Sequence, residues 1–325
     1  MSKPLRAGVI GASGIGKHHA KWLNALGCEV SFAGTSAETV AATTQALQNL
    51  FGFSGTGYVG VEAMLDAQQP DLVMVTSPPA LHYEHFMLAA EQDCHILCEK
   101  PVQWDPDKEV AQVLDEAGQM ADLARQKGLV AAVNLQYKSA VEPYLDLCAR
   151  ADAQVDPETF TAFHMQMDSR GGKAGAAGEK IWIDLGPHPL SVLMGFAGPG
   201  AIVEGSARCN IQEKQVEANF AYQTQGGRRI QARILDCNVP EGPLVRRYGI
   251  DDVLVDYEGR NDEDGVYAAF LTLDDAELKA TDFMQSSITQ FVDAVRGEGV
   301  PLATLGDGVA NLKMHLQLLM AGRGA

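Results

Sequence analysis

Three residues suited to proton transfer stand close to predicted ends of secondary structure in this sequence. Lys100 follows the apolar run "ILCE", residues 96–99, and precedes Pro101. Asp184 and His188 occupy positions i and i+4 of "IDLGPHPL". A lysine can donate to a carbonyl or alcohol oxygen, and histidine is the side chain most readily poised to exchange a proton near neutral pH. We therefore take Lys100, Asp184 and His188 as candidate catalytic residues.

These residues also have structural interpretations. An isolated lysine at a strand end is more often a solvated surface residue, and His188 could equally cap a helix. Neighbouring side chains of an extended segment point to opposite faces, so Glu99 and Lys100 cannot enter a cleft in the same way. The pattern assigns the cleft to Lys100 and makes Glu99 the structural member of the pair.

A glycine-rich turn, "VIGASGIGKHHA", joins the first predicted strand to the first helix. Gly11, Gly14 and Gly16 let backbone N–H groups approach a pyrophosphate, and the helix N-terminus adds partial positive charge. Ser13 occupies the second glycine position of the G-x-G-x-x-G fingerprint, where a small hydroxyl side chain can still donate to phosphate. A turn of this kind without a ligand is the alternative.

The end of the second strand, "FAGTSAE", bears on the choice of dinucleotide. Thr35 and Ser36 stand where folds that bind NAD carry an acidic residue for the ribose 2′-hydroxyl. Without that carboxylate a 2′-phosphate is not repelled, and two hydroxyls could bind it, so NADP is mildly favoured over NAD. The alternative is that both residues simply cap the following helix.

Short apolar runs alternate with helical patterns over residues 1–136, which predicts a doubly wound parallel sheet of the Rossmann type. Open sheets of this class bind ligands at the carboxyl ends of their strands, where "TSPP", residues 76–79, and "CEKP", residues 98–101, both lie. The first domain is thus predicted to bind a dinucleotide.

Consecutive strands with a period of two dominate residues 137–325, which predicts an α+β domain with a largely antiparallel, open sheet. This domain is expected to bind substrate and to mediate oligomerisation, and its C-terminal helix could pack back on the first domain. The glycine- and alanine-rich stretch 168–180 is predicted to be a mobile loop.

Composition narrows the classes of function. A chain of 325 residues exceeds the usual size of one hydrophobic core, and its formal charge of −17 argues against a nucleic-acid partner. The six cysteines lack the close pairing of zinc sites or disulfide frameworks, so we predict neither metal nor disulfide. With no membrane-length apolar run and no signal pattern, we expect a cytoplasmic protein with a small-molecule partner and no membrane association.

Longer segments around these residues resemble the glucose–fructose oxidoreductase/inositol dehydrogenase family (Gfo/Idh/MocA). The resemblance extends over nearly the whole chain and rests on "GVIGASGIGKHHA", "DLVMVTSPPALHYEHFMLAAEQDCHILCEKPV", "VNLQYK", "IDLGPHPL" and "SSITQFVDAVRGEGVPLATLGDG". It implies an NAD(P)-dependent oxidoreductase in which Lys100 lies at the nicotinamide and the substrate. It also implies a cis peptide bond between Lys100 and Pro101.

The family's D-x-x-x-H arrangement implies roles for the second pair. His188 would be acid/base for the substrate hydroxyl, and Asp184 would orient or hydrogen-bond that substrate. Many members have a further aspartate where this chain has Ser191, and Pro187 and Pro189 are less usual. These departures put the substrate in doubt more than the reaction type.

Other residues are assigned by position. Tyr137 and Lys138 are possible cleft lining, whereas His18 and His19 are preferred as ordinary helix residues, and His82 is expected to pack near the cofactor. The predicted cofactor-binding residues are Gly11, Ser13, Gly14, Ile15, Gly16, Thr35, Ser36, Ser77, Pro78, His82, Glu99 and Lys100.

The sequence thus predicts hydride transfer between a nicotinamide and a sugar, polyol or similar alcohol or carbonyl, with Lys100 and His188 serving one nicotinamide from separate domains. A cofactor-binding sensor or regulator without turnover is the alternative, and a reductase of cyclic or aromatic diols or of imines is a third possibility. The antiparallel sheet needs covering on its second face, so we expect a homodimer or homotetramer.

Overall fold

The computed structural model describes residues 3–170 and 177–324. The chain divides into two compact units. The first consists of Met1–Asn134 with Ser287–Val309, and the second of Leu135–Ser286 with Ala310–Ala325.

The first unit is built on a six-stranded parallel sheet with the strand order β3-β2-β1-β4-β5-β6. Its strands are β1 Arg6–Ile10, β2 Glu29–Gly34, β3 Gly57–Val59, β4 Leu72–Val75, β5 His95–Cys98 and β6 Ala131–Val133. The helices between them are α1 Gly16–Ala25, α2 Ala37–Phe51, α3 Val61–Gln68, α4 His82–Glu91 and α5 Val110–Lys127. The order reverses between β1 and β4, which is where open sheets of this class bind ligands.

Burial explains why these short segments form strands. Every residue of β4 is buried, and β1 is buried apart from its first residue. Continuous apolar runs of this kind suit a parallel sheet that helices cover on both faces. Helix starts are also readable in the sequence, since Ser36 caps α2 by accepting the Thr39 N–H at 3.1 Å.

Residues 287–309 belong to the first unit, whereas the predicted boundary placed residues 137–325 in the second domain and allowed only the C-terminal helix to pack back on the first. The Val133 N–H donates to the Ala303 carbonyl at 3.1 Å, and Ala132 forms an isolated antiparallel bridge with Thr304. These contacts join the late segment to β6 by hydrogen bonds of the sheet-edge type.

The second unit carries a mixed sheet with the order β15-β14-β13-β12-β7-β11-β10-β8, and β9 pairs with β10. Its strands are β7 Ala162–Ser169, β8 Gly200–Ile202, β9 Arg208–Ile211, β10 Gln215–Thr224, β11 Arg229–Asn238, β12 Arg246–Ile250, β13 Val253–Asn261, β14 Tyr267–Leu273 and β15 Ala276–Thr281. The helices α6 Val141–Arg150, α7 Glu179–Leu185 and α8 Pro187–Ala197 precede or interrupt these strands. Two helices follow them in the chain, α9 Phe283–Val295 and α10 Leu305–Arg323, and each is divided between the two units.

This sheet confirms the predicted, largely antiparallel character, with β7 and β11 as a parallel pair. Buried and exposed residues alternate along β11, whose pattern from Arg229 to Ala232 is exposed, buried, exposed, buried. Helices cover one face of the sheet and leave the alternate side chains accessible on the other. We call the accessible side the outer face.

Some elements differ from the sequence prediction. The sequence indicated a helix after Ser36 without giving its bounds, and it did not indicate β3, α3, α6, α7, β8, β12 and β15. Most of these strands are short, and α2 is rich in threonine and alanine, so hydrophobic periodicity is weak there. Residues 171–176 of the predicted loop 168–180 lie outside the described residues.

None of the described helices is both long and apolar enough to cross a membrane. Within residues 3–170 and 177–324, no group of three or more His, Cys, Asp or Glu side chains is arranged to hold a metal ion.

Candidate active site

The glycine turn of the first unit lies between β1 and α1, and its geometry depends on glycine at two positions. Gly11 has φ +94°, and a Cβ there would lie 2.9 Å from Ser77 N and Thr76 O. A Cβ at Gly16 would lie 2.6 Å from Gly11 O and closer still to Thr76 Oγ1. Apart from its neighbours in the chain, no residue that the structure describes comes within 4 Å of the Cβ position of Gly14. Gly11 and Gly16 therefore close the turn, whereas Gly14 leaves its outer side open.

The start of α1 offers backbone donors. Ile15 precedes α1 without a side-chain cap, and within the described residues no backbone carbonyl accepts the N–H groups of Ser13 and Gly14. Unsatisfied N–H groups at a helix N-terminus bind phosphate well. The turn thus fits a pyrophosphate.

A cavity of about 490 Å³ opens at the carboxyl ends of β1, β2 and β4. We call it the carboxyl-end cavity. It is lined by Ile10, Gly11, Ala12, Ser13, Ala33, Gly34, Thr35, Thr39, Thr43, Gly60, Val61, Glu62, Ser77, Pro78, Leu81, Glu84, His85 and Leu88. Its apolar floor, hydroxyl groups and glycine turn are the features of a small-molecule pocket that holds a nucleotide.

Five of the predicted cofactor residues line this cavity: Gly11, Ser13, Thr35, Ser77 and Pro78. Gly14, Ile15, Gly16, Ser36, His82, Glu99 and Lys100 are not among its lining residues.

His82 lies in the interior. Its side chain is fully buried, with Nδ1 2.9 Å from Pro101 O and Nε2 2.8 Å from Ser77 O. Burial lowers the pKa of His82, which outweighs the two carbonyl contacts. The neutral ring thus packs between the segments that hold Ser77 and Pro101 and does not face the cavity.

His85, which the sequence analysis did not single out, does line the cavity. Its Nδ1 lies 2.8 Å from Ser77 Oγ, and burial lowers its pKa. The available signal was the i, i+3 spacing of His82 and His85 on α4.

Three side chains form a buried group beneath the end of β5, which we call the Glu99 cluster: His19, Glu99 and Asn134. His19 Nε2 donates to Glu99 Oε1 at 2.7 Å, and Asn134 Nδ2 donates to the same oxygen at 2.6 Å. Burial would raise the pKa of Glu99, but these hydrogen bonds and the charges of His19 and Lys100 lower it to about 2. Glu99 is thus an ionised structural anchor, and His19 is its buried partner instead of an ordinary helix residue.

Lys100 follows this anchor and is half-buried. Its backbone N–H donates to Glu99 Oε2 at 3.2 Å, and the Lys100–Pro101 peptide bond is cis, as the resemblance implied. The Glu99 cluster therefore fixes the backbone from which the Lys100 side chain projects.

Asp184 and His188 belong to the second unit. Asp184 lies near the end of α7, and α8 begins at Pro187. Gly186 between the helices has helical φ −50° and ψ −35°, and its N–H donates to Trp182 O at 2.8 Å. Because the backbone stays helical across Gly186, the i, i+4 pair lies on one helical face.

His188 is buried among aromatic side chains, which we call the His188 cluster: Tyr137, His188, Tyr257 and Phe283. The ring centroids of Tyr137 and His188 lie 4.6 Å apart, and Tyr137 contacts Tyr257 and Phe283 at 5.8 and 5.7 Å. Sequence reasoning suggested Tyr137 as cleft lining but had no signal for Tyr257 and Phe283. This apolar wall holds the imidazole in one orientation.

The segment that carries His188 is also held from α10. The Asn311 amide donates to Pro187 O at 3.0 Å. Trp182 Nε1 donates to His315 O at 3.0 Å, and His315 Nε2 donates to Trp182 O at 2.9 Å. Three buried hydrogen bonds thus fix the junction of α7 and α8.

Comparisons with known proteins agree with this geometry. Residues 5–135 match the model of the Gfo/Idh/MocA family, described as an oxidoreductase family with an NAD-binding Rossmann fold. The chain is 33% identical to D-glucoside 3-dehydrogenase of Escherichia coli (strain K12) over 144 residues, which is 43% of this chain and 37% of that relative. It is 27% identical to 1,5-anhydro-D-fructose reductase of Ensifer adhaerens over 97% of this chain and 96% of that relative.

Solved structures share the fold over the whole length. The UDP-N-acetylglucosamine 3-dehydrogenase of Acidithiobacillus ferrooxidans superposes with a TM-score of 0.73 at 19% identity and covers 99% of both chains. The relatives are named as dehydrogenases and reductases of sugars. The glycine turn and the Glu-Lys-Pro segment both lie within residues 5–135, the range that matches the Gfo/Idh/MocA model.

Proposed function

We propose that the protein is a nicotinamide-dependent dehydrogenase or reductase that acts on a sugar, polyol or similar alcohol or carbonyl. One observation carries this proposal. The glycine turn lines the carboxyl-end cavity, and Lys100 follows β5 at the same carboxyl edge of the sheet. A bound nicotinamide supplies the hydride acceptor or donor, which protein side chains do not provide.

The first unit would hold the cofactor. The N–H groups of Ser13 and Gly14 suit the pyrophosphate, and Thr35, Ser77 and Pro78 line the space beside it. Gly14 leaves room for close approach of the dinucleotide. Either NAD or NADP is compatible with these features.

Lys100 would stabilise charge at the reacting oxygen. An ammonium within reach of that oxygen favours the alkoxide-like state of hydride transfer. The ionised Glu99 fixes the Lys100 backbone from behind, so that the side chain needs little reorganisation.

His188 would take or give the hydroxyl proton, and Asp184 on the same helical face would orient the substrate hydroxyl or the imidazole. Both roles come from the family resemblance. Burial of His188 against Tyr137 supports a fixed imidazole, as proton transfer at a defined atom requires.

Replacing Lys100 or His188 by alanine tests these roles. We expect turnover to fall by about 10²-fold or more while cofactor affinity stays within a few-fold, because general acid–base groups contribute on that scale. Cofactor affinity is measured by calorimetry, and Lys313→Ala, at an exposed position of α10, serves as control. Unchanged turnover in either variant would refute its assignment.

The substrate class is tested with a panel of sugars, inositols and diols, assayed with NAD and NADP by absorbance. A cofactor-binding sensor remains the alternative, and it predicts cofactor binding without turnover across the panel. A response confined to cyclic or aromatic diols or imines would move the substrate class away from sugars.

The proposal extends to a cytoplasmic homodimer or homotetramer that associates through the outer face of the second sheet. Leu235 and Leu254 are half-exposed apolar side chains among the polar residues of that face. An accessible face of a large sheet is a natural self-association surface.

A further inference from the structure

We propose that Glu62 sets the cofactor preference of this enzyme and selects NAD over NADP. Its carboxylate replaces the acid that the end of β2 lacks, accepts a hydrogen bond from the adenosine ribose and excludes a 2′-phosphate. This inference rests on the proposed function, because Glu62 gains its role only when a dinucleotide binds.

The placement of Glu62 follows from strand pairing. β3 runs parallel to β2, with Gly34 opposite Val59, and the Gly60 N–H donates to Gly34 O at 2.9 Å. Neighbouring parallel strands end at the same edge of a sheet, and α3 begins directly after Gly60. Glu62 therefore stands in the first turn of α3, beside the strand end that carries Thr35, and both residues line the carboxyl-end cavity.

The charge of the cavity wall disfavours a phosphate at this position. Among the described lining residues the charged side chains are Glu62 and Glu84, and neither lysine nor arginine is present. His85 adds no positive charge near neutral pH, because burial lowers its pKa. Sites that accept a 2′-phosphate usually provide an arginine for it. Here a dianion would meet carboxylates without a compensating cation.

The hydroxyl groups that favoured NADP in the sequence are engaged elsewhere. Ser36 Oγ accepts the Thr39 N–H at 3.1 Å and lies 3.0 Å from Thr39 Oγ1, and Ser36 does not line the cavity. Its function is helix capping, one of the two alternatives that the sequence left open. Of the two hydroxyl groups of Thr35 and Ser36, only that of Thr35 lines the cavity, which removes part of the support for a 2′-phosphate site.

Glu62, and not Glu84, is the residue that meets the ribose. Glu84 lies on α4, which follows the end of β4. Rossmann folds hold the ribose hydroxyls at the end of β2, and β3, which leads into α3, is hydrogen-bonded to β2. The two carboxylates therefore lie near different strand ends of one cavity, and Glu62 is the one near the end of β2.

Calorimetric titration of the full chain with NAD⁺ and with NADP⁺ tests the inference without any substrate. The variants are Glu62→Gln, which keeps the size and removes the charge, and Asp66→Asn as the matched control. Asp66 is an exposed acid on the same helix that does not line the cavity.

We expect the wild type to bind NAD⁺ more tightly than NADP⁺. Glu62→Gln should narrow the ratio of the two dissociation constants by about tenfold, as loss of one charge-assisted hydrogen bond and one repulsion predicts. Asp66→Asn should leave that ratio within about twofold, since its charge lies outside the cavity.

Three results would overturn the inference: tighter binding of NADP⁺ by the wild type, an unchanged ratio in Glu62→Gln, or an equal change in Asp66→Asn. The failure of the proposed function looks different, since the wild type would then bind neither dinucleotide. That result removes both proposals, whereas tight NADP⁺ binding removes only the role of Glu62.

Discussion

The buried carboxylate of Glu99 has two effects: its hydrogen bonds stabilise the fold, and they hold the backbone of Lys100, the candidate catalytic residue. An isolated buried carboxylate would be strongly destabilising. Here His19, Asn134 and the Lys100 N–H all donate to it, so the ionised form is the stable one. Lys100 then projects from a backbone that these bonds hold in place.

Glu99 therefore predicts a specific dependence of stability on pH. Its pKa falls from an ordinary value of 4.5 to about 2 on folding. The stabilisation is fully present above about pH 4.5 and is lost as the pH falls toward 2, and by linkage it amounts to about 3 kcal/mol. Glu99→Gln should lower the free energy of unfolding at pH 7 by about that amount and flatten its pH dependence between pH 2 and 4.5.

Denaturant unfolding of both proteins across this pH range measures the effect. Glu38→Gln, which removes an exposed carboxylate from the first turn of α2, is the control and should change stability by less than about 1 kcal/mol. If the free energy of unfolding of Glu99→Gln falls between pH 4.5 and 2 as steeply as that of the wild type, the ionised cluster does not stabilise the fold.

Individual site residues could be predicted from the sequence where they belong to a recognisable motif. Type and spacing singled out Lys100, Asp184 and His188, and the family resemblance gave them catalytic roles. Among the predicted cofactor residues, Gly11, Ser13, Thr35, Ser77 and Pro78 do line the carboxyl-end cavity. His85 was overlooked although its i, i+3 spacing from His82 was a signal, whereas Glu62 could not be found because its place depends on how β3 pairs with β2. The catalytic roles themselves stay predictions.

At the scale of elements, the glycine turn separates the requirements of folding from those of binding. Gly16→Ala should lower stability by about 1–3 kcal/mol, because its Cβ would overlap Gly11 O and Thr76 Oγ1. Gly14→Ala should keep the wild-type stability, since the space around its Cβ position is open, and should weaken dinucleotide binding.

Thermal unfolding and calorimetric titration of the two variants separate these effects, and each variant is the control for the other. A Gly14→Ala protein that binds NAD⁺ as tightly as the wild type would show that the cofactor does not approach this turn closely.

The junction of α7 and α8 makes a second prediction at this scale. Asn311→Ala removes the side-chain donor to Pro187 O, and the loss of one buried hydrogen bond costs about 1 kcal/mol. Because Pro187 precedes His188, turnover should fall more than KM changes, and the acid limb of the pH–rate profile should shift. Asn49→Ala, which breaks an exposed pair with Gln45 on α2, should alter neither stability nor turnover appreciably. Loss of stability with unchanged kinetics would confine Asn311 to a structural role.

Periodicity predicted the longer elements and missed the shorter ones. The runs that became β1, β4 and β5 are continuous and apolar, so burial on both faces could be read directly. Strand β3 has only three residues, Gly57–Val59, and its pairing with β2 decides its existence more than its own sequence does. Missing β3 also concealed the start of α3, and with it Glu62.

For the molecule as a whole, the fold class was predictable because the order of predicted strands and helices changes once along the chain. Strand and helix alternate up to about residue 136, and strands then follow one another, which gives the parallel and the largely antiparallel sheet. The sequence allowed a C-terminal helix to pack back on the first domain, but it did not identify residues 287–309 as the segment that does so. The place of this segment depends on hydrogen bonds from β6 to residues far away in the sequence, which local patterns do not encode.

The last prediction concerns self-association of the whole protein. On the outer face of the second sheet Leu235 lies opposite Glu217 on β10 and Gln166 on β7, and its half-exposed side chain has polar neighbours. Burial of such a residue in an interface stabilises a dimer, and a carboxylate in its place opposes one, because an unpaired charge would be buried. We expect the wild type to show at least twice the chain mass by light scattering after size exclusion, and Leu235→Asp to shift it toward the monomer.

Leu50→Asp, at an exposed leucine of α2, is the control and should keep the wild-type mass. A monomeric wild type, or an unchanged mass in Leu235→Asp, would show that the outer face does not mediate association.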